Sequence, residues 1–209
     1  MSRGLFITFE GSDGAGKSTQ IQLAKEYLES IGIEPIMTRE PGGTSISEKL
    51  RDILLDKENS EMSPIAEMMI YASARAQLVA EVIRPAIERG ETVVCDRYID
   101  SSIAYQGYGR GLGDIVEEVN RVAIDGVMPD ITFFLDLDPA VGRSRIRSDE
   151  MDRLEQEKLD FHYRVYNGYK KVAEADPKRV AVIDASRTIE EISLEIRTIL
   201  KEVCDRKGL

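Results

Sequence analysis

Residues Gly11-Ser12-Asp13-Gly14-Ala15-Gly16-Lys17-Ser18 follow the apolar run Leu5-Phe6-Ile7-Thr8-Phe9-Glu10 and precede an amphipathic stretch with Ile21, Ala24, Leu28 and Ile31 at helical spacing. The glycines let successive backbone N–H groups turn inward around an anion, and the start of the following helix adds unpaired donors and partial positive charge. Lys17 then reaches the outer phosphates of a nucleoside triphosphate, while the Ser18 hydroxyl, next to Thr19, is placed to ligate Mg²⁺. Gly11 to Thr19 are therefore the residues expected to hold a triphosphate. Alone, such a loop leaves GTPase switches, ATP-driven motors and small-molecule kinases open.

Other polar residues narrow the field. Thr38-Arg39-Glu40-Pro41-Gly42-Gly43-Thr44 follows a second strand-like segment and Asp96-Arg97-Tyr98 a third, so both belong at the same carboxyl edge as the loop. Arg39 singly can cap a turn and Arg97 can pair with a neighbouring acid, but together they indicate a second anion site. Asp96 ends Thr92-Val93-Val94-Cys95, a place from which an acid reaches Mg²⁺ directly or through water; its ordinary alternative is to cap the next turn. The segment 142–153 carries Arg143, Arg145, Arg147 and Arg153. In isolation it reads as a solvated helical face. Beside a phosphate loop it reads as a lid whose guanidinium forks meet the charge crowded on a transferring phosphoryl group and exclude water.

The elements that must position these residues are legible in outline. Apolar β-prone segments recur at 5–9, 35–38, 92–95, 131–137 and 180–183, with helical patterns in nearly every gap, which predicts an α/β fold with a parallel sheet and helices on both faces. Ligands of such sheets collect beyond the carboxyl ends of the strands. Asp138-Pro139 resembles an N-cap and first helical position, and Thr188 with Glu191 fits a capping box opening a helix of about 188–204. Pro85 should kink or divide the long helical pattern 64–89.

Composition excludes some partners. The 209 residues suit one domain, 42% are hydrophobic, 32% are charged, and no apolar run approaches the ~18 residues of a membrane span. With no signal-peptide pattern, a cytoplasmic location is expected. A net charge of −10 argues against nonspecific binding to nucleic acid or an acidic membrane, so an anionic substrate must meet locally concentrated arginine and lysine. Cys95 and Cys204 suggest neither a disulfide framework nor a zinc site and are expected to be inert thiols; His162, the single histidine, is expected at the surface or in packing.

Four segments in order resemble the thymidylate kinase family over about residues 5 to 200: Phe9-Glu10-Gly11 through Thr19, Thr38 to Gly43, Asp96-Arg97-Tyr98 with Ser101-Ser102 and Ala104-Tyr105-Gln106-Gly107, and Asp152-Arg153-Leu154. The resemblance implies a P-loop kinase fold with a five-stranded parallel sheet, an arginine-rich lid at about 142–153, and a single nucleoside monophosphate kinase domain over 1–209. It implies transfer of the ATP γ-phosphoryl group to thymidine 5′-monophosphate (dTMP), with Mg²⁺, usually in a homodimer. It places Arg39, Arg75 and Arg97 around the monophosphate, with Glu40 in the same motif. It sets Tyr71 under the base, where the family more often has phenylalanine, and Arg51 near the base. Ser102, Tyr105 and Gln106 frame the deoxyribose and base, and Asp13 lies close to the acceptor. Because Ser12, Asp13, Gly14 and Ala15 carry no positive charge, the chain resembles the type whose lid supplies the catalytic cation, from Arg153, Arg143 or Arg147. A deoxynucleoside kinase and a regulatory nucleotide switch are the competing readings.

Overall fold

The five apolar segments become strands β1 Phe6–Glu10, β2 Ile36–Arg39, β3 Val93–Asp96, β4 Ile131–Asp136 and β5 Val180–Asp184, each bounded within a residue of the expected limits. They form an all-parallel sheet in the order β2-β3-β1-β4-β5 in a computed structural model, which describes residues 3–146 and 151–209. β1 lies at the centre and is buried along its whole length, as a strand covered on both faces must be. Its neighbours β3 and β4 lie on opposite sides, so the chain diverges at its carboxyl end and opens a crevice there.

Helices α1 Lys17–Ser30, α2 Ser45–Leu55, α3 Pro64–Leu78, α4 Arg84–Glu88, α5 Ile99–Ser102, α6 Ile115–Ile124, α7 Pro139–Ser144, α8 Leu159–Ala175 and α9 Ile189–Lys207 surround it. Alternation along the strands sends Ile7, Phe9, Phe133 and Leu135 to one face, against Ala24 and Leu28 of α1 and Ile192, Ile196 and Leu200 of α9. Phe6, Val93 and Cys95 face the other way, against Leu78, Ile83 and Ile124. The sheet interior also carries a polar pair, the Thr8 and Thr132 hydroxyls, hydrogen-bonded at 2.6 Å. Both cysteines are buried and unbridged. His162 is half-buried, with its ring edge-on to Phe161.

Local signals act as their chemistry demands. Asp138 accepts from Ala140 N at 2.8 Å with Pro139 opening α7, and Thr188 with Glu191 forms the complete capping box of α9. That helix runs on to Lys207, three residues past the expected end, and stops at Gly208, whose φ of 72° suits glycine. Pro85 divides its helix as expected. The wide turn Val79–Ile83 lies immediately before it, between α3 and α4, where the missing N–H and the ring clash would otherwise fall.

Candidate active site

At the end of β1 the chain turns through Gly11, with φ of 138°, where any Cβ would stand 2.7 Å from the Leu135 carbonyl. The loop closes with Gly16 in left-handed conformation, and α1 begins at Lys17 with its first N–H groups facing the loop. Gly14 packs against the backbone of Gly142 in α7, where an added Cβ would meet the Gly142 carbonyl at 2.1 Å. The phosphate loop and the root of the arginine-rich segment are therefore in direct backbone contact.

A cavity of about 470 Å³ lies over this loop, at the carboxyl edge of the sheet. Of the expected residues, Asp13, Gly14, Gly16, Lys17, Ser18 and Thr19 line it together with Arg39, Glu40, Arg51, Tyr71, Arg75, Asp96, Arg97, Ser102, Tyr105 and Gln106. Gly11, Ser12 and Ala15 sit in the loop behind its wall. Arg143 and Arg153 do not line it, and Arg147 lies outside the described residues.

Lys17 is folded back onto the loop, donating to the Gly11 and Ser12 carbonyls at 3.0 Å each, and burial with Arg97 nearby pushes its ammonium below the ordinary range. Asp13 accepts from the Arg97 guanidinium and, at 3.0 Å, from Tyr105 Oη. Burial alone would raise its carboxyl, but the charges of Arg97 and Lys17 and the Tyr105 hydrogen bond outweigh it and hold the pKa at about 2. Arg97 has a left-handed backbone, φ 66°, an unusual state for a residue with a side chain. Its other amino group donates to Tyr169 Oη at 2.9 Å and Ser101 Oγ at 3.2 Å, and its carbon lies 5.2 Å from the centre of the Tyr105 ring. The guanidinium thus bridges the phosphate loop and the second pocket.

Glu10 anchors this bridge from below. It is fully buried and accepts from Tyr98 N at 2.7 Å, Ser101 Oγ at 2.6 Å and Tyr169 Oη at 3.1 Å, while burial and the neighbouring Asp100 raise its pKa to about 7.

In the second pocket Arg75 is buried with every donor group engaged. It donates to Glu40 at 2.6 Å, Ser102 Oγ at 2.8 Å, the Tyr98 carbonyl at 2.9 Å, and Asn120. Arg39 is half-exposed and pairs with Glu48 at 2.9 Å, and Arg51 donates to the Pro41 carbonyl at 2.9 Å. Tyr105 and Gln106 lie in a run of wide helical turns, Ile103–Gly109, that continues α5 and delivers consecutive side chains to the pocket.

The described arginines of the segment lie outside the cavity lining, although its Ile146 and Asp152 line it. Arg143 donates to the Glu157 carbonyl at 2.7 Å, and Arg153 donates to the Leu54 carbonyl at 2.9 Å and to Glu67 at 2.7 Å. Arg145 donates to the Gly14 carbonyl of the phosphate loop at 3.0 Å. Sequence reasoning placed Arg145 in the segment without a role of its own, and passed over Glu67, Arg110 and Asn120. A signal for one of these was present: Glu67, Tyr71 and Arg75 follow one another at four-residue spacing along α3 and so share a face.

A parallel sheet with a phosphate loop after its central strand, and a second cationic pocket opening into the same cavity, defines a P-loop phosphotransferase acting on two ligands. The sequence model of the family described as thymidylate kinase matches residues 9–196, and the chain belongs to that family. The thymidylate kinase of Lactobacillus delbrueckii subsp. bulgaricus is 53% identical over 195 residues, covering 91% of this chain and 92% of the relative. That of Clostridium novyi is 46% identical over 205 residues, covering 96% and 100%. Among solved structures, the crystal structure of thymidylate kinase from Ehrlichia chaffeensis superposes with a TM-score of 0.78 at 34% identity, covering 95% of this chain and 99% of that one.

Proposed function

We propose that this chain transfers the γ-phosphoryl group of ATP to dTMP, giving dTDP and ADP for deoxynucleotide supply, as a single nucleoside monophosphate kinase domain. The observation that carries this reading is one cavity lined by both Lys17 of the phosphate loop and Arg97 of the second pocket. The ATP phosphates take the inward N–H groups of residues 11 to 19, and Lys17 exchanges the Gly11 and Ser12 carbonyls for the outer phosphates. Arg39 and Arg97 hold the acceptor phosphate, with Asp13 fixing Arg97 from the loop side. Tyr71 supports the base, Glu40, Arg51, Arg75, Ser102 and Gln106 frame it, and the Tyr105 ring fills the space a ribose 2′-hydroxyl would need. An acceptor phosphate is already ionised near neutral pH, so no strong base is required and positioning with charge stabilisation does most of the work.

The donor set fits Mg²⁺: Asp96 has a buried carboxylate oxygen with no partner among the described residues, and Ser18 presents its hydroxyl at the start of α1. Bound there with the triphosphate, the ion would neutralise charge on the transferring oxygens. The lid of about 142–153 supplies the remaining cations from Arg143, Arg147 and Arg153. Arg153 leaves Glu67 and the Leu54 carbonyl when the lid closes.

The protein works in the cytoplasm, with neither nucleic acid nor membrane as partner. No helix of the described residues is long and apolar enough to cross a membrane. It works as a homodimer, for which the exposed Ile46 and Ile53 of α2 and Ile65 and Met69 of the neighbouring α3 offer apolar side chains. A panel of nucleosides and nucleoside monophosphates assayed with Mg·ATP tests the reading. dTMP should be the preferred acceptor and thymidine inert; phosphorylation of thymidine at its 5′-hydroxyl in preference to dTMP would reject it.

A further inference from the structure

Glu67 is wholly buried on α3, yet four donor groups end on its two oxygens. Gln106 Nε2 lies at 2.9 Å and Arg110 Nε at 3.1 Å from one oxygen, while amino groups of Arg110 at 2.9 Å and Arg153 at 2.7 Å reach the other. Burial works to raise its pKa, but the hydrogen bonds from Arg110, Gln106 and Arg153 prevail and hold it below the ordinary carboxylate range. The transfer mechanism above uses no carboxylate at this place.

An ionised carboxylate only accepts hydrogen bonds, so the Gln106 carboxamide must turn its NH₂ toward Glu67. The amide oxygen then points the other way. Gln106 lines the acceptor cavity, and no described group donates to its Oε1. The amide's orientation is set by its neighbour's chemistry.

We infer that Glu67 is a specificity-determining positioning residue: by holding Gln106 with its acceptor oxygen toward the cavity, it selects bases that present an imide N–H and rejects those that present a lone pair there. Thymine and uracil carry such an N–H at ring position 3, whereas cytosine has an acceptor at that position. Arg110, which donates to both Glu67 oxygens, keeps Glu67 ionised whether or not Arg153 has left with the lid, and so keeps the amide from flipping. The inference rests on dTMP occupying the cavity as proposed above.

Glu67→Gln provides the test, since a carboxamide at 67 both donates and accepts and frees Gln106 to rotate. In the folded variant the ratio of kcat/KM for dTMP over dCMP should fall about tenfold or more, because the amide no longer presents only its acceptor. An unchanged ratio in that variant, with dTMP still used by the unmutated protein, would overturn the role of Glu67 while leaving the activity standing. Failure of the unmutated protein to use dTMP would instead remove the activity itself. A second measurement needs no variant: the Gln106 side-chain NH₂ protons, followed by ¹⁵N NMR in the free protein, should be protected from hydrogen exchange by the buried carboxylate. Exchange at the rate of an exposed amide would overturn the inference.

Discussion

Asp13 joins the two halves of the site, because its two oxygens receive Arg97 and Tyr105 while Lys17 stands 3.8 Å away. Its carboxyl, held at about 2 against an ordinary 3.8, contributes stability that is fully present above pH 3.8 and is lost as pH falls through 2. Asp13→Asn should therefore be less stable than the unmutated protein at pH 6, with the deficit shrinking as pH falls from 4 toward 2, measured by urea midpoints; a constant deficit would contradict the assignment. Lys17→Ala should fold normally and lose about 100-fold or more in kcat, in a coupled assay of ADP formation. Arg97→Ala should chiefly raise KM for dTMP and leave KM for ATP little changed, and the reverse pattern would assign Arg97 to the donor side. At this scale the sequence was most legible where a motif fixes both type and spacing. Gly11 to Thr19 needed no structure to be singled out, whereas Asn120 carries no motif and declares itself only through the buried Arg75 it faces, and Glu67 offers only its four-residue spacing from Tyr71 and Arg75.

The decisive contact between elements is that of the phosphate loop with α7. An added Cβ on Gly142 would stand 2.4 Å from the Asp13 carbonyl, a backbone atom that cannot step aside. Gly142→Ala should cost about 1–3 kcal/mol of stability by urea unfolding and raise KM for ATP, since the added methyl must displace the phosphate loop or α7. A variant with unaltered KM would separate the two elements. Strand limits were readable to within a residue because a run such as Ile131-Thr132-Phe133-Phe134-Leu135, covered on both faces, has few other ways to fold. The wide turns at Val79–Ile83 and Ile103–Gly109 were not readable, since the hydrophobic period hardly changes across one extra residue per turn. Nor was the docking of Arg153 on Glu67: an arginine's reach is long, and its partner lies 86 residues away.

At the scale of the whole molecule, a chain of net charge −10 gathers Lys17, Arg39, Arg51 and Arg97 around one cavity, so the anions it accepts are recognised locally and not by a general field. The exposed apolar side chains of α2 and α3 set a further expectation. Met69→Glu should convert a particle of twice the 23.4 kDa chain to the single chain in sedimentation, and a protein already monomeric before substitution would refute the dimer. The central claim is that donor and acceptor phosphates meet in one cavity. ATP labelled in its γ-phosphate and incubated with Mg²⁺ and dTMP tests it most directly. The label should pass quantitatively into the β-phosphate of dTDP with negligible inorganic phosphate. Label released chiefly as inorganic phosphate at a rate indifferent to dTMP would contradict it.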